Sequence, residues 1–584
     1  MQPPYKVMCN ISTLRASIKV ETQNRKSMNT TPTISQMIRD HFPDLAILKD
    51  RRNDVLFTGR ALPAFVKDYI IRKFSDEQGR VDDEAVRNYL DQRMPDAATL
   101  RTRLLLEGTV KLTTRFIVKS DLAEGKVAFA IPDAEINRRA YISQTVLKTH
   151  AADLKDGEVW GAVTLEYMPP KGREDAYIVM TEFQSFKPYK PSIDFLCEAR
   201  NNFTLEQWVD VLIAAMEYNP DSFESLEQKM EFISRLLPFV EPRVHLIEFG
   251  PKGSGKTYIY SNLSKYVWAL GGGKTSRARL FHNFKTGQHG AIMFYDAVAI
   301  DEISTFSMSE PDELESIMKG FLEEGSVKLE KINLRSDCGL VLMGNIKLSE
   351  NREPLSQEYF MVLPKVFRSS ALMDRFSGFI EGWKLPRLTS SSILQGWTLN
   401  SEYFSTVLHM MRTESVYGQI FDDIVSCQEG ADLRDNKAVK RLATAYCKLL
   451  FPNMRCAVSE LDPQEQENFK ALYLKYCLEP AVRRRGIIRQ QLYLMDKEFT
   501  PDMPEYSIYL APELPDPIDD FGGDDGEPID TEAPDLDLGG DDAPIDTETP
   551  DLEVGDEGDY VPETPKPELP EGVDDDKFFG AIKS

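Results

Sequence analysis

The apolar and polar positions of the chain change their period more than once before residue 200. Between residues 63 and 103, apolar residues recur at helical spacing, which predicts a small helical unit. Short strand-like segments punctuated by Gly, Asp and Pro follow, at residues 110–118, 127–131, 159–165 and 177–183. Several short strands predict a small β-barrel or sandwich. An OB-like barrel would suit nucleic acid, and a purely structural β-domain is an equal alternative.

A second change of pattern divides the rest of the chain. Residues 202–242 have a helical pattern, and from Val244 strands and helices alternate as in an α/β nucleotide-binding core. After about residue 400, apolar positions again lie on one face of helices, which predicts a helical lid. The lid helices are expected at residues 403–411, 437–450 and 464–477.

The last part of the chain has a different composition. Residues 511–584 contain 26 acidic residues and three lysines, and the segment 528–536 recurs 16 residues later at 544–552. Too little apolar surface is available there to offset the entropy of ordering, so a disordered tail is expected. The other 510 residues carry 68 acidic and 66 basic residues, so the net charge of −25 does not exclude basic patches for nucleic acid.

These patterns predict a multidomain fold. The parts are a flexible N-terminal segment at 1–43, a helical plus β-rich domain expected to bind DNA at 44–200, an α/β core at 201–400, a helical lid at 401–510 and the disordered acidic tail at 511–584.

Composition also limits the other classes of protein. The seven cysteines are scattered without a CxxC pair, which favours reduced structural thiols over zinc or disulfides. The sequence has no run of the roughly 18 apolar residues that a spanning helix needs, and its N-terminus lacks the layout of a secretory signal. We therefore expect a cytoplasmic protein that does not contact a membrane.

Eight residues from 250 to 257 carry the most specific motif. They match G-x-x-x-x-G-K-T between a buried strand at 244–249 and a helix predicted at 258–270. The glycines of such a loop let backbone N–H groups point at phosphate oxygens, and the helix N-terminus adds a favourable dipole. Lys256 would neutralise the β- and γ-phosphates, and Thr257 would offer its hydroxyl to Mg²⁺. The residues expected to bind ATP are Gly250, Pro251, Lys252, Gly253, Ser254, Gly255, Lys256 and Thr257.

Two later strands end in polar residues that fit hydrolysis. The apolar run from Ala297 ends in Asp301 and Glu302, 45 residues after Lys256. Asp301 would help to hold Mg²⁺, and Glu302 would polarise the attacking water. The strand at 339–344 ends at Asn345, whose amide could bond the γ-phosphate or that water, the role called sensor 1 in AAA+ ATPases. The alternative for Asn345 is a turn residue at a strand end.

An arginine follows these strands. Arg375 lies 30 residues after Asn345, where an arginine finger could reach a neighbouring subunit's ATP and stabilise transition-state charge. Arg368 is a rival candidate, and a surface arginine paired with an acid is the plain alternative. If Arg375 acts in trans, the enzyme is an oligomer.

Other basic residues give weaker indications. Lys440 and Arg441, on a helix that begins near Asn436, could contact phosphate from the lid or lie in solvent. A hairpin is expected between residues 325 and 340, at an insertion point that in ring ATPases often holds a pore loop. Its candidates for gripping a phosphate backbone are Lys328, Lys331 and Arg335. The basic cluster at 483–489 could touch DNA, the acidic tail or water.

With these residues in hand, residues 203–452 resemble the BrxL family, Lon-related proteins of BREX phage-defence systems. The resemblance rests on the motifs at 248–257, 271–275, 298–302, 343–346, 374–376, 382–386 and 449–452, and residues 44–190 are similar in layout. It implies an AAA+ ATPase that uses ATP and Mg²⁺ and binds DNA. It also implies a homo-oligomeric ring, expected as a hexamer with stacked rings as an alternative, that acts with other BREX components.

One departure from the family matters. Longer relatives continue into a Lon-protease-like domain, whereas the folded pattern here stops near Thr500. The Gly/Ser-rich nucleophile region and downstream Lys of a Ser–Lys peptidase are not recognisable. We therefore expect ATP hydrolysis and no peptidase activity.

Three functions are compatible with the sequence. The leading one is a ring ATPase that translocates on or remodels DNA. The second is an AAA+ protein unfoldase or Lon-like protease subunit, which pore aromatics would favour and the basic hairpin disfavours. The third is a nucleotide-gated, non-catalytic DNA-binding scaffold with the acidic tail as its active surface.

Overall fold

The computed structural model describes residues 32–508, except residues 61, 122–124, 152, 155–156, 173–174, 186–190, 285–287, 309–310 and 330–331. All of the described residues belong to one of the two units of the chain, Met1–Leu510. The predicted flexible segment as far as residue 31, and the acidic tail with its repeat, lie outside them.

Short helices form the first part of the described chain. Their N-termini are capped by side chains such as those of Thr33, Asp82 and Asp96, which accept hydrogen bonds from backbone N–H groups of the first turn. Phe65 and Val86 pack in a common core, so the predicted helical unit is formed. The elements are α1 Ile34–His41, β1 Ala46–Lys49, α2 Arg51–Asp54, α3 Ala64–Lys73, α4 Asp83–Arg93 and α5 Ala97–Glu107.

A closed β-barrel follows. Its elements are β2 Thr109–Asp121, β3 Lys126–Ala130, β4 Ala140–Ile142, α6 Gln144–His150, β5 Gly157–Met168 and β6 Tyr177–Ser185. The strands close in the order β2-β3-β4-β6-β5 around a core that includes Phe116, Phe129 and Phe183. The prediction of a small barrel is confirmed, and its likeness to an OB fold stays a prediction.

The middle of the chain is an α/β core. Helices α7 Ile193–Arg200, α8 Leu205–Ala215, α9 Leu226–Ile233 and α10 Leu237–Val240 lead into it. Its first half contains β7 Leu246–Gly250, α11 Lys256–Asn262, β8 Val267–Leu270, β9 Lys274–Thr275, α12 Arg277–Leu280, β10 His282–Asn283, β11 Gln288–His289 and β12 Ala297–Ile300. Its second half contains β13 Ser307–Met308, α13 Pro311–Glu324, β14 Ser326–Leu329, β15 Ile332–Arg335, β16 Gly339–Asn345, α14 Ser370–Met373, β17 Gly378–Glu381 and β18 Gly396–Leu399.

The main sheet of this core is parallel, in the order β17-β7-β16-β12-β8. β7 and β12 are buried along their whole length, which explains why both read as near-continuous apolar runs. Since the strands are parallel, their carboxyl ends meet at one edge, where ligands of open α/β sheets bind. β1 pairs with β18, which joins the N-terminal helices to the core.

One predicted element is wrong in part. The helix expected over residues 258–270 ends at Asn262, and Val267–Leu270 is a strand of the sheet. Val267 and Trp268 suit a strand by residue type, and their pairing with Ala297 and Val298 supplies hydrogen bonds that a longer helix would forgo. A local pattern could not show that pairing.

Helices complete the described chain. The elements are α15 Ser401–Met411, α16 Val416–Ile424, β19 Val425–Cys427, α17 Leu433–Leu450, α18 Pro463–Tyr473, α19 Glu479–Met495 and β20 Tyr506–Ile508. Helices lie where the three lid helices were predicted, and the third continues into a π-helical turn, Leu474–Leu478; their action as a lid stays a prediction. Among the described helices, none is long and apolar enough to span a membrane. The described cysteines are all free, and the described side chains form no metal-binding cluster.

Two arginines of the basic cluster at 483–489 are not on the surface. Arg484 is buried against Glu231, and Arg485 is buried against Asp374 and Asp435. The possibility that this cluster binds DNA is therefore wrong for these two arginines, since their guanidinium groups are fully paired in the interior.

Candidate functional site

The loop from Gly250 to Lys256 joins the carboxyl end of β7 to the first turn of α11. Gly255 has a φ of 77°, a conformation that L side chains rarely adopt. A Cβ at this position would also lie 2.7 Å from the Tyr218 hydroxyl. The loop thus needs glycine here for both conformation and space, and α11 begins immediately after it, pointing its N-terminus at the loop.

Lys256 is held inside this loop. Its Nζ donates to the backbone oxygens of Gly250 at 3.2 Å and Pro251 at 2.9 Å, and to Ser254 Oγ at 3.4 Å. The residue is 6% exposed, and this burial lowers the pKa of its ammonium. All three hydrogen-bond acceptors of this ammonium are neutral, and the carboxylates of Glu248 and Asp301 act on it only through space, so it can form a charge-assisted hydrogen bond with a phosphate.

Thr257 meets Asp301 at the same edge of the sheet. Thr257 Oγ1 donates to Asp301 Oδ2 at 2.5 Å, and the other carboxylate oxygen of Asp301 accepts from the backbone N–H of Glu302 at 2.8 Å. A hydroxyl and a carboxylate are hard oxygen ligands of the kind that Mg²⁺ prefers together with phosphate oxygens and water. The donor set therefore fits Mg²⁺.

Glu302 has a left-handed backbone, with a φ of 46°. Such a conformation is uncommon outside glycine and clusters at functional sites. Its side chain is exposed, at the end of β12. A Cβ on Gly272 would lie 2.7 Å from the Glu302 backbone oxygen, so the glycine run after β8 allows this close approach. In the sequence, this run is recognisable only as part of the family motif at 271–275.

Asn345 ends β16, the strand that lies between β7 and β12. It stands beside Gly250 in the register of the sheet, and its side chain is exposed. Asn345 is therefore at the edge that carries the loop on one side and Asp301 on the other. This is the placement that a sensor of the γ-phosphate or the attacking water requires.

A buried ion pair contacts the nucleotide loop from the interior of the protein. Arg235 and Glu248 are both fully buried, with Arg235 Nε 3.0 Å from Glu248 Oε2. Arg235 also donates to the backbone oxygen of Ser254 at 2.9 Å. This pair could not be predicted from the sequence, because Glu248 belongs to the motif at 248–257 but Arg235 lies in a helical segment with no motif around it.

Arg387 is a second residue that sequence reasoning missed. A Cβ on Gly253 would lie 3.6 Å from Arg387 Nε, and the backbone N–H of Leu388 donates to Gly253 O at 3.0 Å. The guanidinium is exposed beside the loop. The available signal was its position directly after the motif at 382–386.

Arg375 lies at the opposite edge of the sheet. It precedes β17, and the neighbouring Ser377 donates its N–H to His245 O, before the start of β7. The length of β7, roughly 15 Å at about 3.3 Å per residue, separates it from the loop of its own chain. Its Nε is 2.9 Å from Glu323 Oε2. Arg368, the rival candidate, donates to Leu363 O and Met361 O in its own segment.

Lys440 and Arg441 do not lie beside the nucleotide loop. Lys440 pairs with Asp422 at 2.6 Å on the surface, and Arg441 donates to Arg243 O at 3.4 Å, in the groove that Arg375 also lines. In the described contacts neither side chain touches the nucleotide loop, and the expected lid contact to phosphate stays a prediction. Arg441 lies near the amino end of β7, whereas Lys440 contacts Asp422 of α16.

The predicted hairpin is present, as β14 paired antiparallel with β15. Lys328 and Arg335 are exposed, and Val327 and Leu329 on the other face are buried. The pairs Lys328–Asn333 and Ser326–Arg335 place the two basic residues on one face. Lys331 lies outside the described residues.

Comparison with known proteins places this geometry among relatives. The model for the ATPase domain of Lon-like protease BrxL-like proteins matches residues 178–505, and that for the N-terminal region of the BREX system Lon protease-like protein BrxL matches residues 40–167. A Lon-like protease BrxL of Escherichia coli O9:H4 (strain HS) is 25% identical over 466 residues, covering 79% of this chain and 64% of its own. One of Bacillus cereus (strain H3081.97) is 26% identical over 436 residues, covering 71% and 62%.

Proposed function

The chain belongs to the BrxL-like ATPase family of BREX systems, and from this premise we propose that it hydrolyses ATP as a ring that translocates on or remodels DNA in anti-phage defence. The matched part spans less than two thirds of the length of the two relatives, 64% and 62%. The word protease in their names describes those proteins. For this chain, the expectation of no peptidase activity stays a prediction.

The observation that carries the proposal is the meeting of Thr257, Asp301 and Asn345 at the carboxyl edge of the sheet. Lys256 would hold the β- and γ-phosphates, and Thr257 with Asp301 would hold Mg²⁺, which when bound neutralises charge that develops on the phosphates. The exposed Glu302 carboxylate would orient and polarise a water for attack, and Asn345 would bond that water or the γ-phosphate.

The placement of Arg375 supports an assembly. Since it lies on the edge away from its own loop, it can act on ATP only in a neighbouring chain. A head-to-tail contact that joins one edge of the core to the opposite edge of the next repeats around a closed ring. Before such contact, Glu323 holds the guanidinium at 2.9 Å.

The hairpin of β14 and β15 supports the proposal that the ring moves along DNA. Lys328 and Arg335 form an exposed basic face on a strand pair whose other face is anchored in the core. Such residues would bind phosphates without regard to base sequence. The barrel provides a second surface for nucleic acid.

ATP hydrolysis measured with and without duplex DNA tests this proposal. Wild type should hydrolyse ATP, DNA should raise the rate, and the double variant Lys328→Glu with Arg335→Glu should lose the stimulation while keeping the basal rate. Stimulation by an unfolded protein but not by DNA would overturn the DNA assignment in favour of an unfoldase. If the wild type hydrolysed ATP no faster than Lys256→Ala, the proposed ATPase activity would be overturned.

A further inference from the structure

We infer that a cavity between the N-terminal helices and α11 is the binding site for the adenine base and ribose of the nucleotide. This inference rests on the proposed function, because it concerns the part of ATP that the loop does not hold. The cavity has a volume of about 320 Å³. Pockets for small ligands have volumes of roughly 300–1,000 Å³.

The cavity begins where the phosphate loop ends. Tyr258, the residue after Thr257, lines it, and so does Tyr218, whose hydroxyl would lie 2.7 Å from a Cβ on Gly255. The two tyrosine rings pack edge to face, with centroids 6.1 Å apart. A nucleotide with its phosphates on the loop therefore has this cavity within reach for its other end.

The walls suit a flat heteroaromatic ring. Phe57, Leu62 and Ile71 contribute apolar surface from the N-terminal helices, and Tyr218 and Leu394 contribute it from the core. Aromatic side chains bind the faces of bases through stacking. The site is thus built from both parts of the chain, and a base in it would join the N-terminal helices to the helix of the phosphate loop.

The charged residues that line this cavity disfavour a phosphate group. Lys49 lies 2.5 Å from Glu217 and is also paired with Asp68, and Ser401 Oγ donates to Asp68 at 2.8 Å. Tyr258 donates its hydroxyl to Glu217. The lining residues together include four carboxylates (Asp50, Asp54, Asp68 and Glu217) and three cations (Lys49, Arg51 and Lys67), and the resulting net charge of −1 disfavours a phosphate group. The cavity therefore suits the uncharged part of a nucleotide, while Lys256 takes the charged part.

Asn53 is the group that we assign to base recognition. It is half-buried in the wall of the cavity, and its side-chain amide has no hydrogen-bond partner among the residues described. The other amides there are engaged, Gln395 with the Arg51 N–H and Asn262 with Tyr258 O. A carboxamide pairs with the N6 donor and N7 acceptor of adenine, whereas guanine presents two acceptors at that edge. Asn53 would thus favour ATP over GTP.

Binding of MgATP, MgGTP and inorganic tripolyphosphate to the full chain tests the inference. Tripolyphosphate probes the loop without a base. Asn53→Asp should reduce the preference for ATP over GTP by about tenfold or more, and Leu62→Trp, which fills the cavity from its rim, should weaken ATP by a similar factor. Both variants should bind tripolyphosphate like wild type. Asn351→Asp, at an exposed site that does not line the cavity, is the matched control and should change nothing.

Two results would overturn the inference. One is unchanged ATP and GTP affinity in both Asn53→Asp and Leu62→Trp. The other is a loss of tripolyphosphate binding equal to the loss of ATP binding, since the substitutions would then act on the loop. A wild type that does not bind tripolyphosphate, or a Lys256→Ala variant that binds it equally well, would contradict the proposed function itself.

Discussion

The ammonium of Lys256 is surrounded by neutral acceptors of its own loop, while the neighbouring Lys252 is exposed. Lys256→Ala should weaken MgATP binding by at least about 100-fold, because it removes a buried, charge-assisted contact to phosphate. Lys252→Ala should keep affinity within about threefold of wild type, since solvent screens the charge that it removes. Titration with a fluorescent ATP analogue measures both. Equal losses in the two variants would show that overall positive charge, and not Lys256, attracts the nucleotide.

Arg387 allows a test of a contact to phosphate that no sequence motif predicts. Its guanidinium lies beside Gly253, so it should donate to a phosphate oxygen when ATP is bound. A hydrogen bond to a charged group contributes about 1.5–3 kcal/mol, so Arg387→Ala should weaken ATP binding roughly tenfold or more. Lys384→Ala, three residues earlier and paired with Glu381, is the control. The assignment fails if the control weakens binding as much as Arg387→Ala.

The position of Lys256 beside the nucleotide could be predicted from the sequence and that of Arg387 could not, and the reason is physical. The placement of Lys256, Thr257 and the pair Asp301 and Glu302 at one edge of the sheet could be predicted, because a phosphate loop and a strand ending in acids have fixed local spacing, and their roles stay predictions. Arg387 and Arg235 reach the loop only through the order of the strands and the burial of β7. No local spacing encodes those contacts.

At the scale of the elements, Glu231 connects three pieces of structure. From α9 it pairs with Arg484 of α19 at 2.9 Å, and it accepts the backbone N–H of Glu381 in β17 at 2.8 Å. Burial alone would raise the pKa of this carboxyl, but Arg484 and Arg483 outweigh burial and lower it. The carboxylate therefore fixes α19 against the sheet.

Glu231→Gln should lower the free energy of unfolding at pH 7 by about 3–5 kcal/mol, because it leaves Arg484 buried without its partner. Since the folded pKa is depressed, this stabilisation is present above the unfolded pKa of about 4.3 and is lost as the pH falls through the folded value. Urea unfolding at pH 7 and at pH 3 should show that the difference in free energy of unfolding between wild type and Glu231→Gln narrows at the lower pH. Asp422→Asn, in the exposed pair with Lys440, should cost less than about 1 kcal/mol. If the difference in free energy of unfolding between wild type and Glu231→Gln stayed constant across this pH range, the role of ionised Glu231 would be refuted.

Whether a segment forms a helix or a strand could largely be predicted from the sequence, but the residues at which it begins and ends could not. The barrel strands and the helices after residue 400 follow from local period, because one face of each is buried. The local pattern predicts helix at Val267–Leu270, because the strand that pairs with it lies 30 residues further on. The hairpin of β14 and β15 was predictable, since a glycine precedes two short alternating segments.

At the scale of the whole molecule, the proposed ring would form each active site from the nucleotide loop of one chain and Arg375 of its neighbour. Arg375→Ala should bind ATP and lose hydrolysis. Lys256→Ala should also lose hydrolysis, but because it binds ATP weakly. Mixed rings test this directly. In an equal mixture of the two inactive variants, about a quarter of the head-to-tail interfaces combine an intact loop with an intact arginine. Hydrolysis should return to about that fraction of wild type, and a mixture with no activity would contradict the arrangement in trans.

The most direct test of the central claim measures ATP binding and ATP hydrolysis in the same samples of wild type and Glu302→Gln. The geometry predicts that Glu302→Gln binds ATP like wild type, because Lys256, Thr257 and Asp301 remain in place. Its hydrolysis should fall by roughly 10²–10⁴-fold, because an amide cannot take a proton from water. Hydrolysis by Glu302→Gln at the wild-type rate would contradict the account, since the carboxylate at the end of β12 would then have no part in the reaction.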